Sequence, residues 1–194
     1  MSPAGVVLFP GAGTSADHSS LVALERALAP LPVARIDFHY RRAGKRAPDR
    51  APVLIECVRT EVRAFADRLG VSTADLVIGG RSMGGRMCSM AVADADAPLA
   101  VRGLVCIAYP LAPPRTPDKP RIEHLPRITV PTLCVSGTKD EFGSPGALES
   151  AFAVVPGQVQ FSWLEGKRHD LARCDDEVAS RVARWINGLA DPRR

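Results

Sequence analysis

The chain has 194 residues, 46% of them hydrophobic, and a net charge of +4, the make-up of one globular domain with room for a full core. That mild charge permits acidic partners without demanding them. No apolar run approaches a membrane span, and Val6-Val7-Leu8-Phe9 is too short and lacks the basic flank of a signal-peptide core. Cys57, Cys88, Cys106, Cys134 and Cys174 are odd in number, widely spaced and without a C-x-x-C pair. That indicates neither a disulfide framework nor a zinc site, and points to mostly reduced, buried thiols in a cytoplasmic protein.

Strand and helix patterns alternate along the chain. Residues 6–9 read as a strand that ends at Pro10-Gly11-Ala12-Gly13, and residues 18–28 as a helix with Leu21, Leu24 and Leu28 on one face, stopped by Pro30. A second strand covers 33–38, followed by a basic, proline-flanked loop over 40–52. Residues 53–69 form a helix with Ile55, Val58, Val62, Phe65 and Leu69 on one side and Gly70 at its end. A third strand at 76–78 leads to a helix at 83–95, and the fourth, 101–108, is apolar throughout, as a strand covered on both faces should be. A proline-rich loop spans 110–131, a fifth strand 132–136, a short helix 145–154, a sixth strand 159–164 and a last helix 177–189 with Val178, Val182, Trp185 and Leu189 inward. This order predicts a single α/β domain over residues 1–194, an open, mostly parallel six-stranded sheet with helices on both faces, and a frayed tail at 191–194.

The densest chemistry lies at Gly80-Arg81-Ser82-Met83-Gly84, a G-x-S-x-G run between the third strand and its helix. A serine there sits on a strained turn at the carboxyl end of a strand, with its hydroxyl exposed. The small residues answer crowding across the turn, and Gly79 and Gly85 flank it. The bland alternative is a glycine-rich turn whose serine caps a helix. Ligands of open α/β sheets bind at the carboxyl ends of strands, and that rule tests the serine. A hydrolytic serine needs a base, and the base needs an acid to fix its tautomer. Asp140 follows the fifth strand and His169 the sixth, giving the chain order Ser82, Asp140, His169. Of the other histidines, His18 suits a capping role, His39 lies past the second strand, and His124 falls in the long loop, exposed or facing substrate. Asp175 and Asp176 suit the cap of the last helix. Two amides must meet the developing oxyanion; Met83 supplies one, and Ala12, in preference to Gly11 or Gly13, the other.

Gly11-Ala12-Gly13-Thr14-Ser15-Ala16 also fits G-x-G-x-x-A, and with Asp37 mimics a dinucleotide fingerprint. Pro10 interrupts the usual run from strand to first glycine, and a cofactor leaves Ser82, Asp140 and His169 unexplained. The basic run Arg41-Arg42-Ala43-Gly44-Lys45-Arg46 reads as a solvated loop rather than a nucleic-acid site, because aromatics are not interleaved with it. With Arg81 and Arg86 it would border the pocket mouth and favour an acidic or carboxylate-bearing substrate.

Taken together, Leu8-Phe9-Pro10-Gly11-Ala12-Gly13, Ile36-Asp37-Phe38-His39-Tyr40, the glycine-flanked serine motif, Tyr109-Pro110-Leu111, His124-Leu125, Gly137-Thr138-Lys139-Asp140 and Gly166-Lys167-Arg168-His169-Asp170 resemble the small, lidless α/β-hydrolases of the dienelactone-hydrolase-like group. The branch most similar shares this domain with a subunit of a chromatin-acetylation complex. The resemblance implies an α/β-hydrolase fold without a cap domain and without the first two strands of the larger sheet. It implies Ser82 as nucleophile, Asp140 as orienting acid and His169 as base, with Gly11, Gly13, Arg81, Tyr109 and His124 near substrate. Dienelactone hydrolases proper use a cysteine nucleophile, so the serine here points to another ester or a thioester. The activity expected is that of a serine hydrolase on a small-molecule ester, with no cofactor, no metal-ligand cluster, and neither nucleic acid nor membrane as partner. The alternative is a catalytically silent binding module on the same fold.

Overall fold

The structure is a computed structural model that describes residues 2–116 and 118–189; the expected frayed tail at 191–194 lies outside the described residues. Six strands form one sheet in the order β2-β1-β3-β4-β5-β6: β1 (Gly5–Phe9), β2 (Val33–Arg35), β3 (Leu76–Arg81), β4 (Gly103–Ile107), β5 (Thr132–Gly137) and β6 (Val159–Leu164). Every pairing is parallel. The helices are α1 (Ser19–Leu28), α2 (His39–Arg42), α3 (Ala51–Leu69), α4 (Met83–Val92), α5 (Pro145–Phe152) and α6 (Asp175–Asn187).

Side chains alternate across the sheet. Val6, Leu8, Val77, Val105 and Val135 pack under α1 and α6 on one face, with Leu21, Leu24, Val178 and Val182. Val7, Phe9, Ile78 and Cys106 pack under α3 and α4 on the other, with Val58, Val62 and Met87. Burial on both faces is why the central strands read as continuous apolar runs. Local signals set the helix ends. His18 caps α1 by accepting from the Ser20 amide at 3.3 Å. Pro52 opens α3, and Gly70, at φ 66°, ends it. Ser144 caps α5 ahead of Pro145.

The strand order turns at β1, which has β2 on one side and β3 on the other. The segment after β1 therefore leads to α1 on one face, and the segment after β3 to α4 on the opposite face. A crevice opens between them at the carboxyl ends.

Several sequence expectations shift. The second strand stops at Arg35 instead of residue 38, because Asp37 leaves the ladder to accept the Ala16 amide at 2.8 Å. Residues 39–42 of the expected basic loop are helical. The third strand runs on to Arg81. Gly79 and Gly80 allow this: a Cβ there would come within 2.2 Å of the Val105 carbonyl oxygen and 2.1 Å of the Phe9 carbonyl oxygen. The long loop carries a 3-10 turn at Leu125–Arg127. Cys174 holds the cap position of α6, so Asp175, Asp176 and Glu177 occupy its first turn, where their charge favours the helix dipole. Leu189 lies just past the helix and packs on the core.

Candidate active site

Ser82 joins β3 to α4 with φ 49° and ψ −115°, a conformation that residues with a Cβ rarely adopt. Its amide donates to the Ile107 carbonyl at 2.7 Å, tying the turn to β4. The turn also presses on β1. A Cβ on Gly84 would lie 2.2 Å from the Phe9 carbonyl oxygen, and one on Gly85 2.7 Å from that of Gly80. The crowding expected across the turn is thus largely crowding against the end of β1, the strand that leads into Gly11 and Ala12. Although Ser82 holds the helix-cap position, its hydroxyl makes no capping bond. Its Oγ lies 2.9 Å from His169 Nε2 instead, which removes the bland reading of a capping serine.

His169 sits in the turn after β6. Its Nδ1 is 3.0 Å from both carboxylate oxygens of Asp140. Asp140 is buried beyond β5 and also accepts the Phe142 amide at 2.8 Å and the Ser136 hydroxyl at 3.2 Å. With Nδ1–H donated to Asp140, Nε2 is free to accept the Ser82 proton. The ring is held from three more sides. Phe142 lies against it at 4.1 Å between centroids. The His169 amide donates to Glu141 at 3.3 Å, and its carbonyl accepts from Arg81 Nη2 at 3.1 Å. The hydrogen bond from its own backbone amide, with the His169 amide beside it, holds the Glu141 carboxyl below its usual range. Burial pushes the Arg81 guanidinium down, against the pull of Asp170, Asp175 and Asp140.

These groups face a cleft of about 430 Å³, within the range of small-molecule sites. Gly11, Ala12, Arg81, Ser82, Met83 and His169 line it, as does Arg86, together with Arg121, Phe142 and Pro110. The Ala12 and Met83 amides donate to no other acceptor among the described residues. Gly13 turns away, with open space around it, and its positive φ of 76° closes the loop.

Two more expected substrate contacts, besides Gly13, are corrected. Tyr109 and His124 are buried behind the cleft and do not line it. Loop 110–131 folds back over α4, where His124 Nε2 donates to Ser89 Oγ at 2.8 Å while Ser89 donates to the Arg86 carbonyl at 2.7 Å. The Tyr109 hydroxyl donates to the Arg121 carbonyl at 3.2 Å. Burial, with Arg86 nearby, pushes the His124 imidazole down to about 4.

The basic run is also relocated. Arg42 is bound to Glu61 at 2.6 Å and to the Asp37 carbonyl at 2.9 Å, so Pro48 and Asp49, not Arg41 and Arg42, border the cleft. The dinucleotide mimic loses its support, because Asp37 serves the loop itself and α1 begins only at Ser19. The expectation of no metal-ligand cluster is corrected in one place. Ligand atoms of His39, Cys57 and Glu61 come within 4.8 Å of one another where α2 meets α3, apart from the cleft. Arg42 already occupies that Glu61 carboxylate. All five cysteines are buried and unpaired. No helix among the described residues is long and apolar enough to cross a membrane. Sequence reasoning missed Phe142 and Arg121, which reach the cleft only through loop packing and carry no motif of their own.

A serine at a strand–helix elbow, beside a histidine and an aspartate on later loops of a parallel sheet, is the arrangement of the α/β hydrolases. A family model described as an alpha/beta hydrolase domain matches residues 2–189, and the chain belongs to that family. Its fold is similar to that of Est1E from Butyrivibrio proteoclasticus, at a TM-score of 0.76 and 14% identity over 97% of this chain and 89% of that one. Dienelactone hydrolase from Anabaena variabilis aligns at a TM-score of 0.73 and 19% identity over 97% and 88% of the two chains. The RedJ thioesterase of the prodiginine pathway in Streptomyces coelicolor aligns at 0.65 and 18% over 97% and 85%. At these identities the likeness is one of fold. Among the described residues no cap domain is inserted.

Proposed function

We propose that the protein is a serine hydrolase that cleaves a small ester or thioester through an acyl-enzyme. The observation that carries this reading is the continuous chain from Ser82 Oγ to His169 Nε2 at 2.9 Å and from Nδ1 to Asp140 at 3.0 Å, on a serine whose backbone is strained outward. His169 takes the hydroxyl proton as Oγ attacks the carbonyl, and Asp140 stabilises the imidazolium without itself being protonated. The amides of Met83 and Ala12 receive the developing oxyanion, each such donor being worth about 3 kcal/mol in the transition state. His169 then protonates the departing alcohol or thiol. It next takes a proton from water, which attacks the acyl carbonyl, and returns that proton to Ser82 Oγ as the acid leaves. The esterase and thioesterase among the similar folds support the class of bond, and an all-buried set of free thiols supports a reducing, cytoplasmic location.

The test is intact-mass spectrometry after incubation with a fluorophosphonate, on wild type and Ser82→Ala. One adduct on wild type alone is expected. No adduct on folded wild-type protein, or an adduct that survives Ser82→Ala, overturns the reading.

A further inference from the structure

Arg86 has a charge that the hydrolytic steps do not use. It stands one turn along α4 from Ser82, and its amide donates to the Ser82 carbonyl at 3.1 Å. Residues four apart share a helix face, and the Arg86 side chain lines the same cleft as the serine. Its Nε is buried without a hydrogen-bond partner. No ion pair joins its guanidinium to any carboxylate among the described residues, although Arg35, Arg42, Arg59, Arg168 and Arg181 all have one. Burial pushes its pKa down and the neighbouring Arg121 pushes the same way; Tyr109 and Glu123 pull against them without pairing with it. Arg121 lines the cleft too, and among the described residues its side chain makes one hydrogen bond, a long one of 3.4 Å to the Pro110 carbonyl. Asp49 is the one carboxylate among the described lining residues, and it reaches toward Lys45 at 4.0 Å. Arg81 is occupied by the His169 carbonyl.

A half-buried guanidinium without a counter-ion is costly, and a second cation beside it raises the cost. Packing alone would be served as well by an uncharged side chain. A bound anion offsets the penalty, and a planar carboxylate suits the donor fork of arginine. We propose that Arg86 and Arg121 form an anion-receiving subsite of the Ser82 cleft, and that the ester or thioester hydrolysed there carries a carboxylate. The inference rests on the hydrolase reading of the cleft for its substrate, but not for the subsite itself. Four residues of helix span about 6 Å, so the carboxylate lies a few bonds from the reacting carbonyl, as in a half-ester of glutarate.

Two ester pairs test it, each differing only in charge. Nitrophenyl hydrogen glutarate against nitrophenyl methyl glutarate places the carboxylate on the acyl side. O-acetyl-3-hydroxybenzoate against its methyl ester places it on the leaving side. The expected result is that the anionic-to-neutral ratio of kcat/KM, in at least one pair, falls about 10- to 100-fold in Arg86→Gln, the scale of a charge-assisted hydrogen bond. The fall is smaller in Arg86→Lys, which keeps the charge and also serves if the glutamine variant does not fold. Ratios within twofold of wild type in both pairs, for Arg86→Gln and Arg121→Gln alike, overturn the proposal. Calorimetric titration with glutarate on wild type and Ser82→Ala reads the subsite without any turnover. Binding weakened at least tenfold by Arg86→Gln supports the subsite even if Ser82 takes no fluorophosphonate, which is the failure of the hydrolase reading alone. Absence of glutarate binding together with unchanged ratios, on protein that does take the probe, is the failure of the subsite alone.

Discussion

The backbone at Ser82 allows strain to be separated from chemistry. At φ 49° and ψ −115° the position is open to glycine and strained for any residue with a Cβ. Ser82→Ala and Ser82→Gly both delete the hydroxyl and its contact with His169, but only the second deletes the Cβ. Strain of this kind is worth about 1–3 kcal/mol. The freedom that glycine adds to the unfolded chain offsets about 0.4–1 kcal/mol of it. Ser82→Gly should therefore be the more stable of the two hydroxyl-deleted variants by about 0–2.6 kcal/mol, with a midpoint of about 1.3 kcal/mol. For a domain of this size that midpoint is a Tm higher by about 3–5 °C. Differential scanning calorimetry of both variants in one buffer, with urea titration as a check on the free energy, makes the comparison. A Tm for Ser82→Gly below that of Ser82→Ala would refute the reasoning, since the strain released by glycine would then be smaller than the entropy it adds to the unfolded chain.

Three further outcomes are expected. Asp140→Asn leaves the His169 ring in place but no longer fixes its tautomer, so kcat on any ester found to be a substrate should drop about 10³- to 10⁴-fold with little change in KM; steady-state kinetics read this. Gly84→Ala drives a Cβ to within 2.2 Å of the Phe9 carbonyl oxygen, so it should destabilise by about 1–3 kcal/mol in urea titrations and slow fluorophosphonate labelling by displacing the Gly11-Ala12 loop. Burial holds His124 down to about 4 from an ordinary 6.5. As pH falls, the unfolded chain protonates this residue first, so its contribution is complete above about pH 6.5 and about 3 kcal/mol is lost by pH 4. Urea unfolding at pH 7 and pH 4.5 should show a larger acid loss for wild type than for His124→Gln, and equal losses would show that His124 is not buried as described.

The residues that could be read from sequence are those whose positions follow from local order. Ser82 was legible because an apolar strand precedes it and a helix follows. Asp140 and His169 were legible because both follow strands of a parallel sheet, whose carboxyl ends share one edge. Tyr109 and His124 were misplaced for the opposite reason. Whether a loop residue faces solvent or core depends on where loop 110–131 returns, and that is set by contacts such as the Arg121 amide on the Leu111 carbonyl and the Ala112 amide on the Phe142 carbonyl. No periodicity in a proline-rich segment encodes such contacts. The basic run was misjudged because the pairing of Arg42 with Glu61 joins residues from separate helices. The early end of β2 turns on one side chain, Asp37, accepting from an amide 21 positions earlier.

Ser82 and His169 are 87 positions apart in the chain, and β4 and β5 stand between the strands that lead to them. In an all-parallel sheet each neighbouring strand is reached only by a crossover, so the contacts that align these two side chains are non-local ones. Arg81 spans 88 positions to the His169 carbonyl. The Ser82–His169 pair therefore reports on completion of the whole sheet: during refolding from denaturant, helical signal should return first and any fluorophosphonate labelling of Ser82 last. A nascent chain still tethered short of β6 lacks His169, so the strained Ser82 would have no imidazole beside it until synthesis had passed the histidine.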